Sequence, residues 1–333
     1  MGFRASGGIG LTIFRALERP ILFFGGKGGV GKTTLAAATA LESARRGART
    51  LLVSTDSAHS TSDILGVNVD AQPGPVEGDL WAAEIDPASA VEDYIRDVKG
   101  RIADVTPPRL AAEVERQIDA ARVSPGAEEA ALFDRFTRLL GDERFDRIVF
   151  DTAPTGQTLR LLSLPELMTN WIGGLIAQRR KVSSLGRMWR NVAGAASGSE
   201  REIGDPVLAA LEERRDRFER ARLVLTDSGR TAFMFVTVPE RLPILETHRA
   251  MSTLSGYGIP VGGLIVNQVH PAVPRDEFLR RRAEREDDQL ADIRERFRDW
   301  PIAYVALQEG EPAGSDSLRQ LFQALSSSTE NLA

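Results

Sequence analysis

The fold of this 333-residue chain is decided by one stretch, Gly26-Lys27-Gly28-Gly29-Val30-Gly31-Lys32-Thr33-Thr34. It matches a phosphate-binding loop, in which glycines let backbone N–H groups turn inward toward an anion. Such a loop needs a strand before it and a helix after it. The apolar run Pro20–Phe24 predicts the strand, and good helix formers predict a helix over Thr33–Arg46. The stretch therefore predicts a βαβ unit in which all nine loop residues contact a nucleotide.

Three side chains of the loop carry specific predictions. Lys32 is expected to neutralise the β and γ phosphates of ATP, and the Thr33 hydroxyl is the expected ligand of Mg²⁺. Lys27 is unusual, because an ordinary loop requires no particular residue there. A lysine at this place makes the deviant signature Lys-Gly-Gly-x-Gly-Lys-Thr-Thr, whose owners dimerise face to face. Lys27 would then reach the partner's nucleotide and stabilise phosphoryl charge as an arginine finger does, so a homodimer is predicted.

Further strands alternate with helices along the chain. Each is a short apolar run, and they lie at residues 50–54, 147–151, 232–238, 261–267 and 302–305. This alternation predicts an α/β fold with a doubly wound, mostly parallel sheet of the deviant Walker A P-loop NTPase type, with an inserted helical subdomain.

Two helical insertions interrupt the alternation and divide the chain into predicted domains. The ATPase domain is expected at residues 20–87, 141–164 and 222–325, and the helical subdomain at 88–140 and 165–221. Residues 1–19 and 326–333 are predicted to be flexible termini.

Composition excludes several classes of function. The formal net charge of −5 argues against a protein that coats nucleic acid. The chain has 0 cysteines and 3 histidines, so neither a zinc site nor an iron–sulfur cluster is expected. No apolar run reaches the roughly 18–20 residues that span a bilayer, and a cytoplasmic location is expected.

Two aspartates follow predicted strands. Asp56 comes after residues 50–54, and Asp151 ends the run 147–151. Open α/β sheets bind their ligands at the carboxyl ends of strands. Carboxylates there polarise an attacking water or hold Mg²⁺, so Asp56, Asp151 and Thr33 form the predicted metal site.

These residues together resemble the ArsA family, which contains the arsenical-pump ATPase and the targeting ATPase of the guided entry of tail-anchored proteins pathway. The resemblance extends from Leu22 to the last helix. It is carried by the deviant loop and by the stretches Thr55–Ser60, Asp151–Leu162, Glu84–Pro87, Leu161–Glu166, Val238–Glu240, Glu246-Thr247-x-Arg249 and Val266–Gln268.

The resemblance implies roles for individual residues. Asp56 would be the catalytic residue that orients the attacking water, and Lys27 and Lys32 would complete the catalytic set through their charge. Asp151 would sense Mg²⁺ and the γ-phosphate. Asn267 would bind the adenine, Glu240 would approach the nucleotide across the dimer, and residues 306–312 would wrap the base.

The chain also departs from the family's pattern. Cysteines bind arsenite in the pump ATPase and hold zinc in the eukaryotic targeting factor, and this chain has none. Gln157 stands where histidine is common and Ser57 where proline is common, changes that bear on rate or coupling. The family resemblance therefore leaves the cargo open.

In the targeting branch, helical insertions form an apolar groove for a transmembrane helix. Candidate groove residues here are Met168, Trp171, Ile172, Leu175, Ile176, Met188 and Trp189. The same stripe also fits an ordinary helix-packing face. Three functions stay open: a dimeric ATPase that binds a transmembrane-segment client or a membrane receptor, an anion- or metalloid-transport ATPase, and a partition or septum-positioning ATPase.

Overall fold

The chain divides into two compact units, each formed by discontinuous segments. The first unit comprises Met1–Asp86, Asp142–Arg160 and Val224–Ala333, and the second comprises Pro87–Gly141 and Leu161–Leu223. The computed structural model describes residues 13–55, 60–103, 115–116, 119, 127–152, 206–270 and 277–328.

The first unit is built on a sheet of eight strands within the described residues. In chain order the strands are β1 (Ile21–Gly25), β2 (Thr50–Ser54), β3 (Gly74–Glu77), β4 (Leu80–Glu84), β5 (Arg147–Asp151), β6 (Thr231–Thr237), β7 (Val261–Val269) and β8 (Ile302–Ala306). Across the sheet the order is β3-β4-β2-β5-β1-β6-β7-β8. The pairing is parallel throughout except between β3 and β4. The predicted doubly wound, mostly parallel α/β sheet is confirmed.

Helices alternate with these strands. The first unit contains α1 (Lys32–Arg45), α2 (Ser60–Leu65), α6 (Arg241–Gly256), α7 (Glu277–Arg296) and α8 (Gly314–Ser328). The second unit contains α3 (Pro87–Ala103), α4 (Ala127–Leu140) and most of α5 (Pro206–Thr226). Within the described residues, no helix combines the length and apolar character needed to cross a membrane.

Strand β1 lies near the centre of the sheet, and its five residues are all buried. Leu22 and Phe24 face a core that includes apolar residues of α1 and α8. Phe23 faces the other side, where its ring stacks on Phe150 at 4.8 Å and on Phe233 at 5.5 Å. Because both faces are covered, the strand is apolar at every position rather than alternating.

The structure adds an antiparallel hairpin that the sequence interpretation did not include. Strands β3 and β4 pair at one edge of the sheet, and β4 pairs with β2 in parallel. Pro75 and the alanines of β4 give a weak strand signal, because proline cannot donate to a ladder and alanine favours helices. The hairpin brings Glu84 beside Ser54, at the carboxyl ends of their strands.

The described end of the N-terminal segment is a short helix. Residues 13–17 are helical, and Ile13 and Leu17 are buried in the core. Apolar side chains at this spacing lie on one side of a helical turn, so their burial holds the segment against the sheet.

The second unit contains a buried carboxylate between two arginines. Asp134 on α4 accepts hydrogen bonds from Arg138 Nε at 2.9 Å and from Arg217 Nη1 of α5 at 3.0 Å. Arg138 also bonds to Asp97 on α3. These contacts tie three helices of the unit together through one set of charges.

Replacing Asp134 by Ala is expected to lower the local stability of α4 and α5 by about 2 kcal/mol, because two guanidinium groups lose a largely buried acceptor. Hydrogen exchange of the α4 and α5 amides measures the change. Asp93→Ala is the matched control. Among the described residues, Asp93 pairs with the exposed Arg96, and its removal should cost less than about 0.5 kcal/mol. Equal effects of the two substitutions would contradict the structural role of Asp134.

Candidate nucleotide site

The phosphate loop leaves β1 at Gly26 and enters α1 at Lys32. Gly26, Gly29 and Gly31 have φ angles of 155°, 81° and 92°, which residues with a side chain rarely adopt. Gly31 is the N-cap of α1, and as a glycine it has no side chain with which to cap the helix. The first N–H groups of α1 and the positive end of its dipole are therefore presented at the loop, which is the arrangement that binds phosphate.

Gly26 fixes the loop against the neighbouring strand. A Cβ atom placed on Gly26 would lie 2.2 Å from the backbone oxygen of Val236 at the end of β6. Because backbone cannot move aside as a flexible side chain can, only glycine fits at this position. The loop is thereby held close to the carboxyl end of β6.

Lys32 is folded into the loop. Its side chain is buried, and its Nζ donates a hydrogen bond to the backbone oxygen of Lys27 at 3.2 Å. This position is the one from which a loop lysine neutralises phosphate oxygens. The bond also spans the loop from its second residue to its seventh.

Lys27 lies in a different environment. Its Nζ is 3.7 Å from Glu246 Oε1 on α6, and the two side chains are 39% and 46% exposed. A pair this exposed contributes about 0–1 kcal/mol, so it holds Lys27 weakly. The sequence pointed to Glu246 only as part of a family motif, because nothing in the spacing joins residue 246 to residue 27.

The predicted carboxylate Asp151 lies beside the loop. It ends β5, is fully buried, and is in register with Phe24 of β1 and Ser54 of β2. Its backbone oxygen accepts a hydrogen bond from Thr55 N at 2.9 Å. Asp56 itself lies outside the described residues, but Thr55, which precedes it, is thus held at the carboxyl end of β5.

Two residues predicted to contact the nucleotide approach from β6 and β7. Asn267 Nδ2 donates a hydrogen bond to the backbone oxygen of Val30 at 2.9 Å, so it contacts the loop itself. Glu240 is exposed at the N-terminus of α6. It lines a cavity of about 660 Å³ together with Leu307, which belongs to the segment predicted to wrap the base.

The same cavity contains a polar cluster that sequence reasoning missed. His270 pairs with Glu286 through both its backbone N–H, at 2.8 Å, and its ring Nδ1. Arg281 and Arg285 of α7 also line the cavity. The charged pattern of α7 suggested only a solvated face, because periodicity does not report which charges face a cavity.

The predicted apolar groove residues, Met168 to Trp189, lie outside the described residues. Their arrangement stays a prediction, as does the prediction that residues 165–221 belong to a client-binding subdomain.

The site has a glycine loop between a buried parallel strand and a helix. A lysine lies inside the loop, and a carboxylate ends the adjacent strand of the sheet, β5. These features together define a P-loop nucleotide hydrolase. Comparison with known proteins agrees with this class. A family model described as anion-transporting ATPase matches residues 19–327.

Curated relatives match 78% to 94% of this chain. The putative arsenical pump-driving ATPase 2 of Aquifex aeolicus is 32% identical over 92% of this chain and 98% of its own length. The ATPase ASNA1 homolog 1 of Paramecium tetraurelia is 30% identical over 94% of this chain and 95% of its own length. The ATPase GET3B of Arabidopsis thaliana is 35% identical over 78% of this chain and 66% of its own length. The chain belongs to the ArsA ATPase family, and it is an ATPase.

Gly26→Ala is expected to destabilise the first unit by about 2–3 kcal/mol, because the added Cβ overlaps the Val236 carbonyl. Chemical denaturation measures the change. Gly28→Ala is the control, since a Cβ at Gly28 meets nothing within 4 Å and should leave stability within about 0.5 kcal/mol. If both variants were as stable as the unmodified protein, the close approach of the loop to β6 would be wrong.

Proposed function

We propose that this ATPase works as a homodimer in which each Lys27 reaches the nucleotide of the other protomer, and that its ATP state controls binding of an apolar client. The observation that carries the dimer is the placement of the two loop lysines. Lys32 is buried in its own loop, whereas Lys27 is partly exposed and forms a long ion pair with Glu246. A side chain that serves a second protomer has to be accessible and easily released.

Within one site, the chain's own residues have separate tasks. The N–H groups at the start of α1 and the Lys32 ammonium hold the phosphates. Asp56 orients the attacking water, as the family resemblance implies. The partner's Lys27 stabilises the charge that develops as the terminal phosphate is transferred, which is the task of an arginine finger.

The donor set at the loop fits Mg²⁺. The Thr33 hydroxyl in the first turn of α1 and the Asp151 carboxylate are hard oxygen donors, and Asp56 would be a third. Within the described residues, no group of three or more acidic or histidine side chains forms a metal cage. Mg²⁺ would take its other oxygens from phosphates and water. When bound, Mg²⁺ neutralises charge on the β and γ phosphates.

The proposed client is a hydrophobic segment such as the membrane anchor of a tail-anchored protein, delivered in the cytoplasm to a membrane receptor. The support is the family resemblance, the relatives that carry the names ASNA1 and GET3, and the apolar stripe between Met168 and Trp189. Methionine and tryptophan suit a variable apolar surface, because they adapt to different side chains.

Transport of an anion is a second candidate, favoured by the family description and by relatives named arsenical pump-driving ATPases. With 0 cysteines, the chain lacks the thiolates that bind arsenite. Stimulation of ATP hydrolysis by arsenite would favour this candidate over a protein client.

Mixing two inactive variants tests the dimer. Lys27→Ala should lower turnover on the order of 100-fold or more, because transition-state charge is left uncompensated. Asp56→Asn should be similarly inactive. An equal mixture should recover about a quarter of the original turnover, because half of the dimers are mixed and each has one complete site.

The control for this mixture is Lys27→Ala combined with a variant that carries both substitutions. That pair has no complete site in any dimer and should stay inactive. Absence of recovery in the first mixture, with exchange of protomers verified, would show that Lys27 acts within its own chain.

Photo-crosslinking to a synthetic transmembrane peptide tests the client. Ile172→Asp and Leu175→Asp should each reduce crosslinking at least about fivefold, because a charge in an apolar groove opposes burial of the peptide. Val67→Asp, at an exposed apolar residue of the first unit, is the control and should leave crosslinking unchanged. Equal crosslinking by all three variants would exclude the groove.

A further inference from the structure

Strand β7 ends in a local irregularity that points toward the phosphate loop. In its pairing with β8, Val266 is opposite Tyr304 and Val269 is opposite Ala306. Three steps along β7 therefore match two along β8, which is the pattern of a β-bulge. The extra residue lies at Asn267 or Gln268, and such bulges redirect side chains next to functional sites.

The backbone conformation of Gln268 supports a bulge at this position. Its φ is 60°, and within the described residues it is the only non-glycine residue with a positive φ. A side chain makes this conformation unfavourable, so it persists only where surrounding contacts impose it. The bulge at Asn267–Gln268 is thus maintained against a local cost.

At the bulge, the side chain of Asn267 contacts the phosphate loop. Its side chain is largely buried, and Nδ2 donates a hydrogen bond to the backbone oxygen of Val30 at 2.9 Å. Because a carbonyl oxygen can only accept, the amide nitrogen must be the atom that faces Val30. The bond passes from β7 to the loop that follows β1, across the end of the intervening strand β6.

The same amide also lies against Gly31, the residue before α1. A Cβ atom placed on Gly31 would lie 2.4 Å from Asn267 Nδ2. Asn267 therefore occupies the space beside Gly31, and the absence of a side chain there lets it approach. Val30 and Gly31 are the residues that lead directly into the first turn of α1.

We propose that Asn267 is a positioning residue for the phosphate loop, and that it acts on the triphosphate as well as on the base. By holding Val30 O, it sets the direction of the peptide groups that enter α1, whose N–H groups face the phosphates. The inference rests on phosphate binding by residues 26–34. It goes beyond adenine contact, which concerns only the far end of the nucleotide.

Inorganic tripolyphosphate separates these two roles, because it has phosphates and no base. Binding of tripolyphosphate and of ATP, each with Mg²⁺, is measured by calorimetry for the unmodified protein, Asn267→Ala and Asn267→Asp. Asn267→Ala is expected to lower the affinity for both ligands by a similar factor of about ten, because one buried hydrogen bond is lost. Asn267→Asp should weaken them at least as much, because it sets a carboxylate against a carbonyl oxygen.

Hydrogen exchange gives a second readout that needs no ligand. In Asn267→Ala, the amides of residues 30–34 should exchange faster than in the unmodified protein, because the loop has lost its support. Asn68→Ala makes the same chemical change at an exposed asparagine and should alter neither binding nor exchange. Thermal unfolding of each variant confirms that the fold is intact.

Substitutions at Gln268 test the bulge without touching the loop. Gln268→Gly accepts φ 60° and should keep tripolyphosphate affinity within about twofold. Gln268→Val, which is β-branched, disfavours this conformation and should weaken binding about fivefold or more.

The outcomes distinguish the inference from the function on which it rests. If the unmodified protein bound neither ATP nor tripolyphosphate, phosphate binding by the loop would be wrong. The second case is an unmodified protein that binds ATP and an Asn267→Ala variant with weaker ATP binding. If that variant showed unchanged hydrogen exchange of the loop amides and unchanged binding of any tripolyphosphate, Asn267 would contact the base alone. That second result would overturn the positioning role.

Discussion

The structure depends on one geometric constraint: the chain must leave a fully buried strand, turn, and begin a helix within the six residues from Gly26 to Gly31. Glycines make the turn possible, since three of them have φ angles in the left-handed region. Packing then fixes its direction. Strand β6 meets Gly26 through the Val236 carbonyl, and β7 contacts Val30 through Asn267. Because the flanking strands are parallel, the ends of β2 and β5 reach the same edge of the sheet and bring Asp151 beside the loop.

The two lysines of the loop differ in how firmly they are held. The separate roles that we propose for them follow from this difference. Lys32 is buried and bonded within its own loop, so its charge is fixed where phosphates bind. Lys27 is held by a half-exposed ion pair that contributes little and is exchanged at little cost. A rigid phosphate cradle combined with a movable lysine fits an ATPase whose site is completed by a second copy. Glu246 would then keep Lys27 in place until the partner's nucleotide replaces it.

Much of this arrangement could be predicted from the sequence, because it depends on local patterns. The glycines of the loop, the apolar run of β1 and the aspartate that ends β5 each carry a signal within a few residues. The contacts of Asn267 with Val30 and of Glu246 with Lys27 join residues more than 200 positions apart. No periodicity reports such distances, so the sequence indicated these residues only through family motifs. The β3–β4 hairpin was missed for a different reason. Pro75 and the alanines of β4 are poor strand formers, and pairing with the neighbouring β2 outweighs their local preference.

The most direct measurement is a structure of the protein bound to Mg²⁺ and a non-hydrolysable ATP analogue. The proposed exchange of Lys27 predicts a two-fold symmetric dimer in which Lys27 has left Glu246, and its Nζ lies within hydrogen-bond distance of the phosphates bound by the other protomer. Lys32 and the first turn of α1 should hold the phosphates of their own site. A fully occupied structure in which Lys27 stays on Glu246, or binds the nucleotide of its own chain, would contradict the role of Lys27 across the dimer.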